Sequence, residues 1–337
     1  MPDRTGGARL PAAIEQQFPD ALRRTLVALR RDLHEHPELS FQEQRTADRL
    51  HAALEALHPV QLDRVAGTGI VARFRGRDAG IPTVAIRGDI DALPIQEATA
   101  LPFASRTTGV MHACGHDVHA TWTVAAAHLL TMQPAAGDVL IVLQPAEEVG
   151  TGARAMLASG ALDGVAAIFG GHVDRRFAVG EVVAEAGPLA ASADEFEITL
   201  TGSGAHGARP HEAADPVVGA GALIGALQTI VSRRLNPAHA AVVTVGTVHA
   251  GSAPNIIPDR ATLSGTIRAV DATSRALMRA ELQRLAEYTA SGFGTEARVA
   301  FDLGTPPIVN APGATAWARE AAAAVVGPAN VVSLGFL

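Results

Sequence analysis

The strongest constraint on the fold is an alternation of apolar strands and helices in the first half of the chain. Strands are predicted at 83–86, 138–143 and 165–169, separated by apolar, alanine-rich helices at 118–132 and 151–162. Strands that alternate with helices are typical of an α/β sheet with parallel strands. The strand at 138–143 is continuously apolar, as expected in a sheet covered on both faces. We therefore predict a mainly parallel sheet with helices on both faces.

Two further helices are predicted before the first of these strands. The segment 19–36 places leucines on one helical face, and Pro37 ends that helix. Ser40 and Glu43 form a capping-box pattern. This pattern predicts the start of a second helix that runs to about residue 57.

The sequence pattern changes near residue 190. The elements predicted after it are a half-buried strand at 195–200, a helix at 216–235, strands at 241–248 and 261–270, and a helix at 274–289. This order indicates a small α+β domain with an open antiparallel sheet. Since 337 residues favour two domains, we predict that 190–303 is inserted into a catalytic domain formed by 1–189 and 304–337.

Composition excludes several classes of partner. The net charge is −7, and no basic run indicates a nucleic acid or an anionic membrane surface as a partner. No run of about 18 apolar residues predicts a membrane span, and the N-terminus lacks the apolar core of a signal peptide. Cys114 is the only cysteine, so an intrachain disulfide is excluded. We expect a soluble cytoplasmic protein.

The segment 111–119 contains three histidines, one cysteine and one aspartate. Buried imidazoles cost free energy unless they have partners, and a thiolate beside an imidazole suits zinc or a similar ion. Glu148 and His172 follow later strands, and polar residues after the strands of such sheets meet at one edge. We therefore predict a metal site formed by Cys114, His116, Glu148 and His172.

Carboxylates beside this set have predicted roles as well. Neighbouring side chains on an extended segment point in opposite directions, so Glu148 can bind metal while Glu147 faces a bound water as general base. A metal lowers the pKa of such a water from about 15.7 to roughly 7. Asp89 and Asp91 are either ligands or carboxylates that orient an imidazole. We favour orientation, mainly for Asp91, and a turn or helix cap is the alternative.

The second predicted domain contains three candidate binding residues. His206 lies in a glycine-rich loop at 201–211, which either presents an imidazole to a ligand or is a plain turn. Arg268 is a candidate bidentate partner of a carboxylate, with a surface ion pair as the alternative. Asn255 is a polar residue near the strands of the same domain.

Seven motifs follow one another between about residues 23 and 310. They are LRRDLHEHPELSFQE, RGDIDALPIQE, GVMHACGHDVHAT, LQPAEEVGTGA, GGHVD, GSGAHGARPHEAADPV and APNIIPDRATLSGTIR. Together they resemble the aminoacylase/carboxypeptidase family of dinuclear metallohydrolases. The resemblance is to its branch of N-acyl-amino-acid amidohydrolases, which includes hippurate hydrolases and auxin-conjugate hydrolases.

The resemblance implies a role for each candidate residue. The family's metal-ligand positions fall on Cys114, His116, Glu148 and His172. Glu147 falls on the catalytic acid/base. His206 falls on a catalytic histidine of the lid domain that reaches the active site, often that of the partner subunit, and helps hold the oxyanion or the substrate carboxylate. Asn255 and Arg268 fall on positions that resemble substrate-carboxylate contacts. Two divalent ions, typically zinc or manganese, and a homodimer through the inserted domain are expected.

The implied reaction is hydrolysis of a small N-acyl amino acid to a carboxylic acid and an amino acid. One feature departs from the family: a further ligand histidine is expected in a C-terminal segment, and this sequence has no histidine beyond His249. The expectation is a truncated, frame-shifted or incompletely recorded chain that binds the second metal weakly.

Three alternatives stay open on the sequence. The first is a related dipeptidase or carboxypeptidase. The second is a low-activity relative that keeps the inserted domain for dimerisation or ligand binding. The third is thiol catalysis, with Cys114 as nucleophile and a nearby histidine as base. The sequence does not fix the acyl group, the preferred amino acid or the metal.

Overall fold

The computed structural model describes residues 12–335. Segment 1–11, which contains most of the N-terminus predicted to lack a signal peptide, and residues 336–337 lie outside the described residues. The chain divides into two compact units. The first unit contains the described residues up to Val182 and the segment Ala324–Asn330, and the second contains Val183–Ala323 and residues 331–335.

The helices and strands have the following bounds. The helices are α1 (Ala12–Gln17), α2 (Asp20–Glu35), α3 (Gln44–Glu55), α4 (His116–Met132), α5 (Gly152–Ala158), α6 (Pro216–Thr229), α7 (Ala272–Gly292) and α8 (Pro312–Val326). The strands are β1 (Gln61–Val65), β2 (Gly69–Phe74), β3 (Val84–Asp89), β4 (Val139–Gln144), β5 (Ala167–Gly170), β6 (Val182–Val183), β7 (Gly187–Ala190), β8 (Asp194–Thr201), β9 (Ala205–His206), β10 (Ala241–Ala250), β11 (Ile256–Ile257), β12 (Arg260–Ala269), β13 (Glu296–Phe301), β14 (Ile308–Asn310) and β15 (Val331–Val332).

The first unit is built on a five-stranded sheet in the order β1-β2-β4-β3-β5. β3, β4 and β5 are parallel, and β2 is antiparallel to both β1 and β4. Four of the five strands therefore point in the same direction, which confirms the predicted mainly parallel α/β sheet. β1 and β2 were not predicted from the sequence.

Helices cover both faces of this sheet, as predicted. On one face, Leu33 of α2 and Leu50 of α3 pack with Ile141 of β4 in a core where all three side chains are fully buried. On the other face, Met156 of α5 packs against Val142 of β4. Each fully buried aliphatic side chain of this kind stabilises the fold by about 1.5–3 kcal/mol. The continuous apolar run of β4 follows from this two-sided burial.

The register of the parallel strands aligns their carboxyl ends. Asp89 at the end of β3 lies opposite Gln144 at the end of β4, and Arg87 of β3 lies opposite Gly170, the last residue of β5. The segments that carry Asp91, Glu147 and His172 leave the sheet at this shared edge. Polar side chains that are distant in sequence are thus brought to one place.

The prediction that Ser40 and Glu43 form a capping box is wrong. α3 begins one residue after Glu43, and neither predicted residue caps it with a side-chain hydrogen bond. The first-turn N–H groups of Arg45 and Thr46 instead donate to the two carboxylate oxygens of Glu38, at 3.1 and 2.7 Å. A carboxylate at a helix N-terminus fulfils the same electrostatic role from outside the motif.

The two residues of the wrong cap bind distant segments instead. Glu43 is fully buried. Its carboxylate accepts hydrogen bonds from the hydroxyl of Thr68 at 2.6 Å and from the N–H of Ala146 at 2.9 Å. The hydroxyl of Ser40 donates to Asp91 at 2.7 Å. Both side chains therefore support the edge of the sheet where the polar segments meet.

The second unit contains an antiparallel sheet in the order β10-β12-β8-β13. Ile198 of β8, Leu263 of β12, Leu223 of α6 and Leu282 of α7 form its fully buried core. This arrangement agrees with the antiparallel sheet predicted for 190–303, to which β13 adds a strand that the sequence analysis missed.

The extent of the second unit differs from the predicted boundaries of 190 and 303. β14 pairs with β7, and the side-chain amide of Asn310 donates to the carbonyl oxygen of Glu185 at 2.9 Å. These contacts place 183–189 and 304–323 with the second unit. The physical reason is that the two segments flanking the predicted domain pair with each other as β7 and β14. These strands are short and of mixed composition, so they could not be predicted from the sequence.

Within the described part of the chain, one helical segment, Pro216–Arg234, is long and apolar enough to cross a membrane. Leu223, Leu227 and Ile230 of this segment are fully buried in the core of the second unit. Packing against the antiparallel sheet therefore accounts for the apolar residues on one side of this segment, whereas Val217 and Val218 are exposed.

Candidate metal centre

The structure brings the four predicted metal ligands together in the first unit. The Sγ of Cys114 lies 3.3 Å from Nε2 of His172. Nε2 of His116 lies 3.6 Å from Oε1 of Glu148 and 3.7 Å from Oε2 of Glu147. His116 belongs both to a group with Cys114 and His172 and to a group with the two glutamates. One imidazole therefore joins the thiol side of the centre to its carboxylate side.

A glycine shapes the turn that leads into the centre. Gly115 precedes α4 with a φ of 91°, in the left-handed region that favours glycine. A Cβ at this position would lie 2.4 Å from Cγ2 of Val173. Gly115 thus allows close approach between the loop that carries Cys114 and the loop that carries His172.

Hydrogen bonds orient both predicted imidazole ligands in the same way. Nδ1 of His116 donates to the carbonyl oxygen of Asp91 at 2.9 Å. Nδ1 of His172 donates to the carbonyl oxygen of Val173 at 2.6 Å. Each ring therefore presents Nε2 to the centre, an arrangement typical of metal-binding histidines.

Asp91 holds both sides of the centre in place. Its Oδ1 lies 3.2 Å from Nδ1 of His116, and its Oδ2 accepts the backbone N–H of Glu148 at 3.0 Å. Oδ2 also accepts the hydroxyl of Ser40. These contacts are those required of a carboxylate that orients an imidazole, the role favoured for Asp91 from the sequence.

The unpartnered atoms in the centre fit a bound cation. Among the described residues, Nε2 of His116 and Oε1 of Glu148 are buried without a hydrogen-bond partner. Leaving such groups unsatisfied costs about 1–3 kcal/mol each, and more when they are charged. A sulfur, two imidazole nitrogens and a carboxylate are a donor set that suits a divalent transition ion.

The electrostatics of the centre favour positive charge. Burial opposes the charged form of His116, but its hydrogen bond with Asp91 and the nearby Cys114 and Asp89 side chains outweigh burial and raise its pKa to about 11. The hydrogen bond with Cys114 raises the pKa of His172 to about 9. The two neighbouring imidazoles lower the pKa of the Cys114 thiol, and burial raises the pKa of Glu148.

The acidic pair after β4 is set by a backbone turn. Ala146 is fully buried and has a φ of 49°, which is uncommon for a residue with a Cβ. Its N–H is held by Glu43. The side chain of Glu147 is 42% exposed and that of Glu148 is 19% exposed. The more accessible carboxylate is therefore the one predicted to act on water.

Asp89 contacts a histidine that the sequence analysis did not assign to the site. Its Oδ1 accepts Nδ1 of His119 at 2.7 Å, and its Oδ2 accepts Nη1 of Arg87 at 2.6 Å. Burial raises the pKa of Asp89, but the hydrogen bond with His119 and the charge of Arg87 lower it well below its usual range. Asp89 is therefore a charged, doubly bound carboxylate beside the centre.

A second buried network lies under the same loop and was missed from the sequence. Nδ1 of His34 lies 2.8 Å from Oδ2 of Asp117, and its Nε2 lies 3.3 Å from Oε1 of Glu97. Nε of Arg30 also lies 2.8 Å from Oδ2 of Asp117. These contacts tie α2 to the first turn of α4. The motifs quoted above contain all four residues, but the spacing of these motifs does not predict which of the residues contact one another.

This network predicts a pH-dependent stability. The hydrogen bond with Asp117 raises the pKa of His34 above 6.5, so the stabilisation is fully present below pH 6.5 and is lost as the pH rises through the folded-state pKa. We expect His34→Gln to lower the free energy of unfolding by about 1–3 kcal/mol at pH 6, and by less at pH 8.5. Urea unfolding across this range measures the difference. A pH-independent difference would contradict the assignment, and His51→Gln on α3 is the control.

The candidate binding residues of the second unit lie in two places. His206 is exposed on β9, which pairs with β11. Asn255 immediately precedes β11, and its carbonyl oxygen accepts the N–H of Gly207 at 2.8 Å. Arg268 is exposed on β12. The end of β12 next to β11 is Arg260, and Arg268 lies eight residues, or about 26 Å, along the strand from it. His206 and Asn255 are neighbours, whereas Arg268 is separate from them.

Comparison with known proteins agrees with this geometry. The sequence profile of peptidase family M20/M25/M40 matches residues 85–335. The chain is 44% identical over 288 residues to an N-acetylcysteine deacetylase of Bacillus subtilis, covering 85% of this chain and 76% of that protein. It is 36% identical over 298 residues to an N-acyl-L-amino acid amidohydrolase of Geobacillus stearothermophilus, covering 88% and 80%.

A solved structure is similar over most of the chain. It is a Bacillus subtilis protein described as a dinuclear metal-binding peptidase of the M20 family, with a TM-score of 0.80 and 40% identity over 91% of this chain and 81% of that one. The profile match, the two relatives and the shared fold identify the chain as a member of peptidase family M20/M25/M40 and as a metal-dependent amidohydrolase.

Proposed function

We propose that the protein hydrolyses the amide bond of N-acyl amino acids at the centre formed by Cys114, His116, Glu148 and His172. The observation that carries this proposal is the unpartnered Nε2 of His116 facing the unpartnered Oε1 of Glu148 at 3.6 Å, with the carboxylate of Glu147 beside them. The names of the relatives from Bacillus subtilis and Geobacillus stearothermophilus support N-acyl amino acids as the substrate class.

The four proposed ligands would hold divalent cations, which we propose to be two zinc or manganese ions. The thiolate of Cys114 and the Nε2 atoms of His116 and His172 supply the soft and borderline donors, and Glu148 supplies a hard one. A bound cation of this kind acidifies water and polarises a carbonyl group. Asp91 contributes by fixing His116 and the backbone of Glu148 together.

Glu147 is the proposed acid and base. Its carboxylate accepts a proton from the attacking water, whose oxygen forms a bond to the amide carbonyl carbon. Glu147 then returns the proton to the amide nitrogen as the C–N bond breaks, so the products are a carboxylic acid and a free amino acid. The 42% exposure of its side chain allows access to both water and substrate.

His206 is proposed to help hold the oxyanion or the substrate carboxylate, and Asn255 and Arg268 are proposed to contact the substrate. Because Arg268 is separate from the other two, His206 and Asn255 would act from one protomer of a dimer and Arg268 from the other. All three lie on exposed segments, so their side chains are available to a ligand.

We also propose a homodimer, because β10 is an edge strand of ten residues that leaves backbone groups unpaired and exposes Val242 and Val248. Light scattering at micromolar concentration tests this proposal, and a monomer at all concentrations would contradict it.

Assays with defined substrates test the proposed function. The protein, purified with zinc or manganese, is assayed with N-acetylcysteine, other N-acyl amino acids and dipeptides, before and after chelation. We expect N-acyl amino acids to be hydrolysed with the higher kcat/KM and chelation to abolish turnover. Preference for dipeptides would favour a dipeptidase or carboxypeptidase. Binding of an N-acyl amino acid without turnover would favour a low-activity relative. If the protein stays active after its metal is removed and is then inactivated by thiol alkylation, Cys114 would be favoured as the nucleophile.

Metal binding to the metal-free protein is expected to release protons. His116 and His172 have pKa values of about 11 and about 9, so both imidazoles carry protons at pH 7 that a metal must displace. We expect release of about two protons and an apparent affinity that falls as the pH decreases from 8 to 6. Titration calorimetry in buffers of different ionisation enthalpy counts the protons. A metal affinity that does not change with pH would contradict the assignment of His116 and His172 as ligands.

A further inference from the structure

His119 is the third histidine of the segment 111–119, and both of its ring nitrogens have partners. Its side chain is fully buried. Nε2 accepts the backbone N–H of Val173 at 3.0 Å. Because an amide N–H can only donate, Nε2 is unprotonated and the ring proton is on Nδ1, which donates to Asp89 at 2.7 Å. The hydrogen bonds therefore select one neutral tautomer.

This tautomer excludes His119 from the set of metal ligands. Asp89, His116 and His119 are close enough to hold a cation. The lone pair of His119, however, is used by Val173. Asp89 holds the opposite side of the same ring, since its Oδ1 accepts His119 while its Oδ2 accepts Arg87. His119 acts on the backbone of Val173, not on a cation.

Asp89 is itself held rigidly. The guanidinium of Arg87 donates to Asp89 and, through Nε and Nη2, to Oε1 of Gln144 at 2.9 and 2.8 Å. Arg87 and Gln144 lie on the adjacent strands β3 and β4. The position of the His119 ring is therefore fixed from the centre of the sheet.

Val173 has both backbone groups committed to the two histidines. Its N–H donates to His119, and its carbonyl oxygen accepts Nδ1 of His172 at 2.6 Å. Its side chain meets Gly115, where a Cβ would lie 2.4 Å from Cγ2 of Val173. The residue that orients His172 is thus held by the loop that also carries Cys114.

Trp122 supports the same arrangement from the next turn of α4. Its ring stacks on His119 with centroids 4.7 Å apart and an interplanar angle of 22°. It also lies beneath Gly171, where a Cβ would be 3.0 Å from the Trp122 ring. The segment before His172 therefore packs on the face of α4 that presents His119.

We infer that His119 is a positioning residue: by accepting the N–H of Val173 it fixes the peptide that aims Nε2 of His172 at the metal position beside Cys114. This inference rests on the proposed role of His172 as a metal ligand. It assigns His119 no contact with metal or substrate. Residues that orient a metal ligand typically contribute 10–100-fold to metal affinity or activity.

The metal-free protein provides the first test. Nitrogen NMR of the ring should show His119 as the neutral tautomer protonated on Nδ1, and hydrogen exchange should show protection of the Val173 amide. We expect His119→Phe, which keeps the ring stack but no acceptor, to remove this protection. His119→Gln, whose amide oxygen can accept the N–H, should retain part of it. Unchanged protection in His119→Phe, or a cationic ring, would overturn the inference.

Metal affinity provides the second test. We expect His119→Phe to weaken zinc binding about 10–100-fold, His119→Gln to restore at least part of it, and kcat at saturating zinc to fall less than the affinity. His128→Phe, at another histidine of α4, is the matched control and should bind zinc normally. If His172→Ala weakens zinc binding but His119→Phe does not, only the inference fails. If His172→Ala leaves zinc binding unchanged, the proposed centre itself fails.

Discussion

Replacing Glu147 with glutamine is expected to lower kcat for an N-acyl amino acid by about 10²–10⁴-fold, the usual contribution of a positioned general base. The amide has the shape of the carboxylate but cannot accept the proton of the attacking water. Metal content should be unchanged, because Glu147 is not one of the proposed ligands. Steady-state kinetics combined with metal analysis of the purified variant measure both quantities.

The neighbouring glutamate is the matched control for this substitution. Glu148→Gln removes a proposed ligand whose Oε1 lies buried beside His116, so we expect loss of bound metal together with activity. A Glu147→Gln variant with unchanged kcat would rule out the acid/base role. If Glu147→Gln loses metal and Glu148→Gln does not, the two assignments must be exchanged.

The second large effect is expected for His116→Ala. His116 is common to every candidate metal group found among the described residues, so its removal opens the thiol side and the carboxylate side of the centre at once. The Lewis acidity of a bound metal is worth several kcal/mol, and we therefore expect turnover to fall by about 10³-fold or more. Metal titration should show a parallel loss of affinity.

Folding must be separated from metal binding in this experiment. Asp91 keeps its hydrogen bonds with Ser40 and Glu148 when the imidazole is absent, so the fold should persist. His116→Gln is a second variant that retains a polar side chain at the site. His128→Ala is the control on the same helix. A folded His116→Ala protein with full metal content and turnover would remove the basis of the proposed centre.

The sequence predicted that the candidate ligands lie close together because the ends of the apolar strands can be recognised in it. The apolar runs before Asp89, Glu147 and His172 identify three strands, and parallel strands end at one edge of a sheet. The structure shows this edge, although the ligand roles remain proposals. The turn at Ala146 could not be predicted in the same way, because this residue of positive φ donates its N–H to the carboxylate of the distant Glu43.

Polar residues with long-range partners were the least predictable part of the site. Ser40 and Glu43 fit a local capping motif, yet the side chain of each forms its hydrogen bonds with a segment at least 25 residues away. His34 and Asp117 are 83 residues apart and form a buried pair. Local patterns predict local hydrogen bonds, whereas pairs of this kind depend on how helices dock on the sheet.

The compact first unit holds Glu147 and all four proposed ligands between Cys114 and His172, whereas His206, Asn255 and Arg268 belong to the second unit. Substitutions at Asn255 and Arg268 change none of the proposed donor atoms. If the proposed roles hold, selection can retune which acyl group or amino acid is accepted without rebuilding the hydrolytic chemistry. Reactivity and selectivity would then be inherited as separable traits of one polypeptide.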